Sequence, residues 1–229
     1  MIKWIAHRGN GVTKYPENSS EALIQALSHP LIDGVELDVR LTKDNEVVIF
    51  HDATLERTTN AIGFVRDKTW KQLKELTLIS EKYHTKISKL SSFLKRVHTS
   101  KIILIELKEE TGDYKILADQ VCRILDRYSN LNLYLVSFRV DLIKYIEKKY
   151  PKYRVSVFVN HFINYKYVHS SLSFQAITPA LVDDVKHTKE TFVYAIYHLS
   201  TVKLVQKKIG NHPVGMITDQ ALKFAKALK

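Results

Sequence analysis

Residues 36–52 read ELDVRLTKDNEVVIFHD, and the way this stretch folds decides the architecture. Elsewhere, short apolar runs of strand length alternate with longer runs of helical periodicity. Strand-like runs cover residues 3–6, 34–39, 102–107, 131–137, 154–159, 175–178, 191–197 and 215–218. Helix-like runs fall between them, at 19–28, 90–98, 113–128, 140–149, 184–189, 201–209 and 220–228. This order predicts parallel strands joined by helical crossovers. Within 36–52, however, a second strand follows the first with no space for a helix. A parallel crossover takes a dozen or more residues, so the two strands form an antiparallel hairpin. Thr42-Lys43-Asp44-Asn45 supplies its polar turn.

Without the returning arm, about eight parallel strands remain, the number that closes a βα barrel. Folding the hairpin at the turn sets Thr42 opposite Asn45 and Glu36 opposite His51. Glu36 and Asp38 share a strand face because they are two residues apart. Val35, Leu37 and Val39 supply the other face. Barrels carry their sites at the carboxyl ends of the strands. In this chain those ends hold His7 and Arg8 after the first strand, Glu36 and Asp38 late on the second, and Glu106 and Lys108 at the third.

Three converging carboxylates with no thiolate nearby repel one another unless a cation intervenes. Oxygen donors suit a hard divalent ion, Mg²⁺ or Ca²⁺, and do not distinguish the two. Arg8 and Lys108 add two cations at the same rim, a fork and a point charge fit for phosphate oxygens. His7 and His51 titrate near neutrality, so one can accept a proton while the other donates one. That division of labour fits cleavage of a phosphodiester. For Glu106 and Lys108 a mutual ion pair is a second reading, compatible with metal binding.

The motifs HRG at 7–9, PEN at 16–18, ELDVRLTKDNEVVIFHDATLERTTN at 36–60, IELK at 105–108, LVSF at 135–138 and GMITD at 215–219 resemble, in this order, the glycerophosphodiester phosphodiesterase family. The likeness is dense from residue 5 to about 76, with short islands beyond. It implies a (β/α)8 TIM barrel with an antiparallel hairpin and short insertion after strand 2. It implies one domain over residues 1–229, with the insertion, around 52–88, over the barrel mouth. The implied reaction is hydrolysis of glycerophosphodiesters to glycerol 3-phosphate and an alcohol. Glu36, Asp38 and Glu106 would hold the metal, Arg8 and Lys108 the phosphate, and His7 and His51 would be the acid/base pair. Similarity to phosphoinositide-cleaving phospholipases adds a cyclic phosphate formed by a glycerol hydroxyl, with His7 as base and His51 as acid. Lysophospholipase D-type activity on lysophospholipids and a non-catalytic phosphate-binding barrel are the alternatives.

The chain departs from the family pattern in three places. PENT is Pro16-Glu17-Asn18-Ser19 here, a mild change because serine caps a helix as threonine does. The tryptophan strand of the family reads Val193-Tyr194-Ala195-Ile196-Tyr197, which alters pocket polarity. The family's IPTLEE is Ile87-Ser88-Lys89-Leu90-Ser91-Ser92, a less acidic stretch. Alcohol selectivity is expected to reside in the insertion.

The other polar residues have plainer readings. Asn18 and Glu21 resemble a helix cap with its reciprocal acid. Arg57 is read as a structural tie for the loop after His51, and Asp219 as a cap for the last helix. Ser137 and Phe138 line either the pocket or the core. His161, His169, His187, His198 and His212 lack metal-ligand spacing and are assigned to the surface.

Composition bounds the rest. With 229 residues and 45% hydrophobic content, a large core is available. Cys122 is the only cysteine, which excludes an intrachain disulfide or a thiolate zinc cage. The start of the chain lacks a signal-peptide core, and no apolar run reaches the roughly 20 residues of a membrane span. A cytoplasmic protein is therefore expected. The net charge of +11 is spread over lysines on polar helix faces. It favours a phosphate-bearing small molecule and peripheral contact with a membrane surface; no nucleic-acid partner is expected.

Overall fold

The computed structural model describes residues 2–109, 114–159, 170–173 and 191–228. Eight parallel strands form a closed ring. They are β1 (Ile2–His7), β2 (Gly34–Leu41), β7 (Ile102–Leu107), β8 (Asn132–Ser137), β9 (Arg154–Val159), β10 (Ser170–Ser173), β11 (Thr191–Tyr194) and β12 (Val214–Thr218). Each pairs with the next, and β12 pairs with β1. The ring also closes between β1 and β2, where His7 stands level with Glu36. Asp38 in turn stands level with Glu106 on β7. The expected (β/α)8 barrel is therefore present.

Strand alternation divides the core in two. Ile5, Ile102, Leu104, Tyr134, Val136, Phe158, Phe192 and Ile217 fill the barrel interior. The intervening residues, such as Val35, Leu37, Val39, Ile103 and Ile105, pack outward with the helices. On β2 the inward positions are Gly34, Glu36 and Asp38. Gly34 leaves room for its neighbours, because a Cβ there would lie 2.4 Å from the Ile102 carbonyl oxygen and 2.9 Å from Ile5 Cδ1.

Helices run over Ser20–Ser28, Trp70–Leu73, Leu90–Lys95, Tyr114–Leu125, Val140–Lys149, Leu199–Ile209 and Ala221–Ala227. The longer ones lie within two or three residues of the expected bounds. Ser19, not Asn18, caps the first helix: its Oγ accepts from the Ala22 amide at 3.1 Å. The last helix has no side-chain cap, so Asp219 is free of the role expected for it. The expected strand at 175–178 and helix at 184–189 lie outside the described residues. β10 occupies Ser170–Ser173, whose sequence SSLS has one apolar residue in four and gave no strand signal.

The hairpin forms as expected but in a different register. β3 (Val47–Ile49) runs antiparallel to β2, with Val39 facing Ile49 and Leu41 facing Val47. This is one residue away from the register that sets Glu36 against His51. The turn holds three residues between Thr42 and Glu46, because Asn45 adopts a left-handed conformation, φ 58°. The Asn45 amide donates to the Thr42 carbonyl and the Thr42 amide to the Glu46 carbonyl, both at 3.0 Å. A one-residue slip turns every side chain to the other face. His51 consequently reaches the barrel mouth from the loop after β3, not from a rung of the ladder.

Residues after His51 pack with Val48 and Phe50 into a small core that also holds Leu55, Val65, Leu73, Leu78 and Ile87. A hairpin of β4 (Thr77–Ile79) and β5 (His84–Lys86) lies on it, and β6 (Ser88–Lys89) extends the β2–β3 pair. None of this short, locally stabilised structure was anticipated from the sequence. Among the described residues no helix is long and apolar enough to cross a membrane.

Candidate active site

The inward stripes of β1, β2, β7 and β12 end in polar side chains at the mouth. His7 follows Ile5 on β1, Glu106 and Lys108 follow Leu104 on β7, and Asp219 follows Ile217 after β12. Together with Arg8, Glu36 and His51 they line one cavity of about 240 Å³. All seven residues expected to form the site converge there: Asp38 lies beneath the lining, and Lys108 Nζ reaches its Oδ1 at 3.3 Å.

Glu36, Asp38 and Glu106 are buried, and each offers an oxygen within 4.8 Å of the others. Burial, with the Asp38 and Glu106 charges added, pushes the Glu36 carboxyl well above the usual carboxylate range. Burial and Asp38 push Glu106 up to about 7. Burial also opposes ionisation of Asp38, but Lys108 and Arg8 outweigh it and hold that carboxyl at about 2. Glu36 Oε1 is buried with no hydrogen-bond partner among the described residues, and Asp38 Oδ1, also buried, meets only the Lys108 ammonium, as an ion pair at 3.3 Å. Crowded acids with an orphaned oxygen are what a hard divalent cation relieves, so the residues present fit such an ion.

The two cations are already engaged. Lys108 Nζ lies 2.7 Å from Glu106 Oε1. Arg8 Nε lies 3.2 Å from Asp38 Oδ2, and its Nη1 donates to Glu17 at 3.0 Å. Arg8 has φ 54°, an unusual conformation for arginine, held where its amide donates to the Glu36 carbonyl at 2.9 Å.

Each histidine is anchored through Nδ1. His7 Nδ1 meets Asp219 Oδ1 at 2.8 Å, and the same oxygen accepts from Asn10 Nδ2 at 3.1 Å. His51 Nδ1 meets Asp52 Oδ1 at 2.5 Å. With a proton on Nδ1, each ring keeps Nε2 as the working nitrogen. His7 Nε2 lies 3.8 Å from Glu36 Oε2. Burial lowers the affinity of His51 for a proton, despite the opposing pull of Asp38.

Arg57 is the tie expected of it. Its Nε meets Asp52 at 2.5 Å and its Nη2 meets Glu17 at 2.7 Å. A chain of alternating charges thus runs from His51 through Asp52, Arg57 and Glu17 to Arg8. Asn18 supports the site directly: its Nδ2 donates to Asp38 Oδ2 at 2.7 Å, and its Oδ1 accepts from the Asp38 amide at 3.2 Å. The sequence reading missed Asp52 and Asp219 as partners of the histidines. Asp219 was accessible, since it continues the inward stripe of Gly215 and Ile217.

The opposite cavity wall is aromatic. Phe138, Phe158 and Tyr194 pack with centroids 4.9–5.6 Å apart, and Tyr197 stands at the entrance. Phe138 therefore belongs to the pocket, with Lys108 Nζ 5.8 Å from its ring centre. No residue of the segment 52–88 lines this cavity among the described residues. His198 is exposed, whereas His212 is half-buried with Nε2 3.0 Å from the Thr191 hydroxyl. His161, His169 and His187 lie outside the described residues.

Comparison with known proteins places this geometry. The model of the glycerophosphoryl diester phosphodiesterase family matches residues 7–208. A glycerophosphodiester phosphodiesterase of Bacillus altitudinis is 38% identical over 144 residues, 60% of this chain; the chain spans 58% of that relative's length. The crystal structure of a Thermotoga maritima glycerophosphodiester phosphodiesterase matches with TM-score 0.77 at 27% identity, covering 98% of both chains. A phosphodiesterase from Oleispira antarctica, solved with its product sn-glycerol-3-phosphate, shares the fold with TM-score 0.86 at 22% identity, over 99% of this chain and 96% of the other.

Proposed function

The chain belongs to the glycerophosphoryl diester phosphodiesterase family, and from that premise we propose that it hydrolyses glycerophosphodiesters to glycerol 3-phosphate and an alcohol. The observation that carries the reading is a pair of carboxylate-anchored imidazoles flanking three buried acids and two cations at one barrel mouth. We read residues 1–229 as one barrel domain, with the segment 52–88 beside that mouth.

Glu36, Asp38 and Glu106 would hold one divalent ion, Mg²⁺ or Ca²⁺. When bound, that ion supplies Lewis-acid stabilisation for charge growing on the phosphoryl oxygens. Arg8 and Lys108 orient the phosphate and share that charge. His7, with Nδ1 fixed on Asp219, uses Nε2 to take the proton from an attacking glycerol hydroxyl. His51, fixed on Asp52, gives a proton to the oxygen of the departing alcohol. The cyclic phosphate so formed is opened by water, with the two imidazoles exchanging roles. Asn18 and the Asp52–Arg57–Glu17 chain keep Asp38, His51 and Arg8 at their stations.

The aromatic wall supports a second reading. Phe138 is 41% exposed and Tyr197 60% exposed, so the entrance offers apolar surface to a lysophospholipid tail. Turnover of glycerophosphocholine and of lysophosphatidylcholine, each with and without chelator, separates the readings. Chelator-sensitive release of glycerol 3-phosphate from the first substrate supports the proposal. Choline release from the second alone favours the lysophospholipase D reading, and no turnover of either favours a binding barrel.

A further inference from the structure

Nine large apolar side chains are exposed among the described residues, and six of them lie on the segments that follow the β2–β3 hairpin, β8 and β11. Ile62, Phe64, Ile79, Tyr83, Phe138 and Tyr197 all lie on segments at the carboxyl ends of the barrel strands, around the mouth. Exposed apolar residues scattered singly are ordinary; their concentration on one face is not. Ile62 is 77% exposed and is absent from the small core beneath its segment. The β4–β5 hairpin, which carries Ile79 and Tyr83, is fastened to the loop after β1. Ser80 Oγ donates to the Lys14 carbonyl at 2.8 Å, and the Tyr15 and Tyr83 rings lie 4.9 Å apart. These side chains are therefore presented by ordered structure.

Cations accompany them. Arg66 lies 5.3 Å from the Phe64 ring centre and Lys82 lies 5.8 Å from that of Tyr83. Lys14 is exposed beside the same hairpin. Residues 52–89 carry eight Lys and Arg against five Asp and Glu, in a chain of net charge +11. Apolar groups interleaved with long basic side chains match a headgroup layer, where the apolar part enters and the charge stays at the phosphates. The six residues sit on three separate segments and form no single groove. A fluid surface accommodates that spacing without a partner of complementary shape.

We propose that this rim docks the barrel, mouth inward, on an anionic lipid bilayer. The proposal goes beyond the hydrolytic reading and does not require it. Co-sedimentation of the full chain with phosphatidylcholine vesicles, with and without about 30 mol % phosphatidylglycerol, tests it. Wild type is expected to partition at least about tenfold more strongly onto the anionic vesicles. The variants Ile62→Asp and Ile79→Asp together are expected to lower that partitioning by about tenfold or more. Their thermal melt and glycerophosphocholine turnover should match wild type, so lost folding or lost hydrolysis is read separately from lost docking. Equal partitioning of variant and wild type would overturn the proposal, as would absence of vesicle binding. A stable protein complex through this face without vesicle binding would overturn it in favour of a protein partner.

Discussion

His7 and His51 come from opposite ends of a hairpin-bearing segment, yet both meet a carboxylate at Nδ1. The carboxylate holds one tautomer and one ring orientation, so its loss should act on chemistry more than on binding. Asp219→Asn and Asp52→Asn are each expected to lower kcat by about 10- to 100-fold while KM changes little. The pH–rate profile should shift with them, a change that a purely structural role would not produce. An unchanged kcat and profile would remove these acids from the account. A contrasting residue is Cys122, whose thiol burial pushes up to about 12. It should stay unreactive toward a thiol reagent at pH 8 until the protein unfolds. Rapid native-state labelling would contradict that burial. At this scale the convergence of the histidines, the three acids, Arg8 and Lys108 was legible because each lies on or just after a strand within an ordered set of motifs. Asn18 and Asp219 read as helix caps, although Asp219 continues an inward stripe, and Asp52 gave no signal of its own until the histidine it faces is known.

Among elements, β2 is decisive, since its inward stripe is Gly34, Glu36 and Asp38 with no apolar residue at all. Space at Gly34 is taken by Ile5 and Ile102. Gly34→Ala should therefore destabilise the fold by about 1–3 kcal/mol through overpacking, measured by denaturant unfolding. A neutral result would mean that the lower barrel can shift to admit a methyl group. The hairpin was legible as a hairpin because its loop is too short for a crossover. Its register was not, because the left-handed Asn45 adds one residue to the turn. β10 and the small elements between residues 52 and 89 escaped for a different reason. Strands of two to four residues hold too few side chains to show a period.

For the whole molecule, closure of eight parallel strands gathers residues from position 7 to position 219 at one rim. The sequence conveyed that closure through strand count and order. It did not convey that an aromatic wall from β8, β9 and β11 would face the charged half of the mouth. Nor did it convey that apolar side chains would crowd the surrounding loops. The central claim is that the gathered histidines drive metal-dependent cleavage of a glycerophosphodiester. Phosphorus NMR of glycerophosphocholine incubated with metal-loaded wild type, His7→Ala and His51→Ala tests it most directly. Wild type should convert the substrate to glycerol 3-phosphate, and each variant should lose about 100-fold or more of that rate while melting as wild type does. Full conversion by both folded variants would contradict the account.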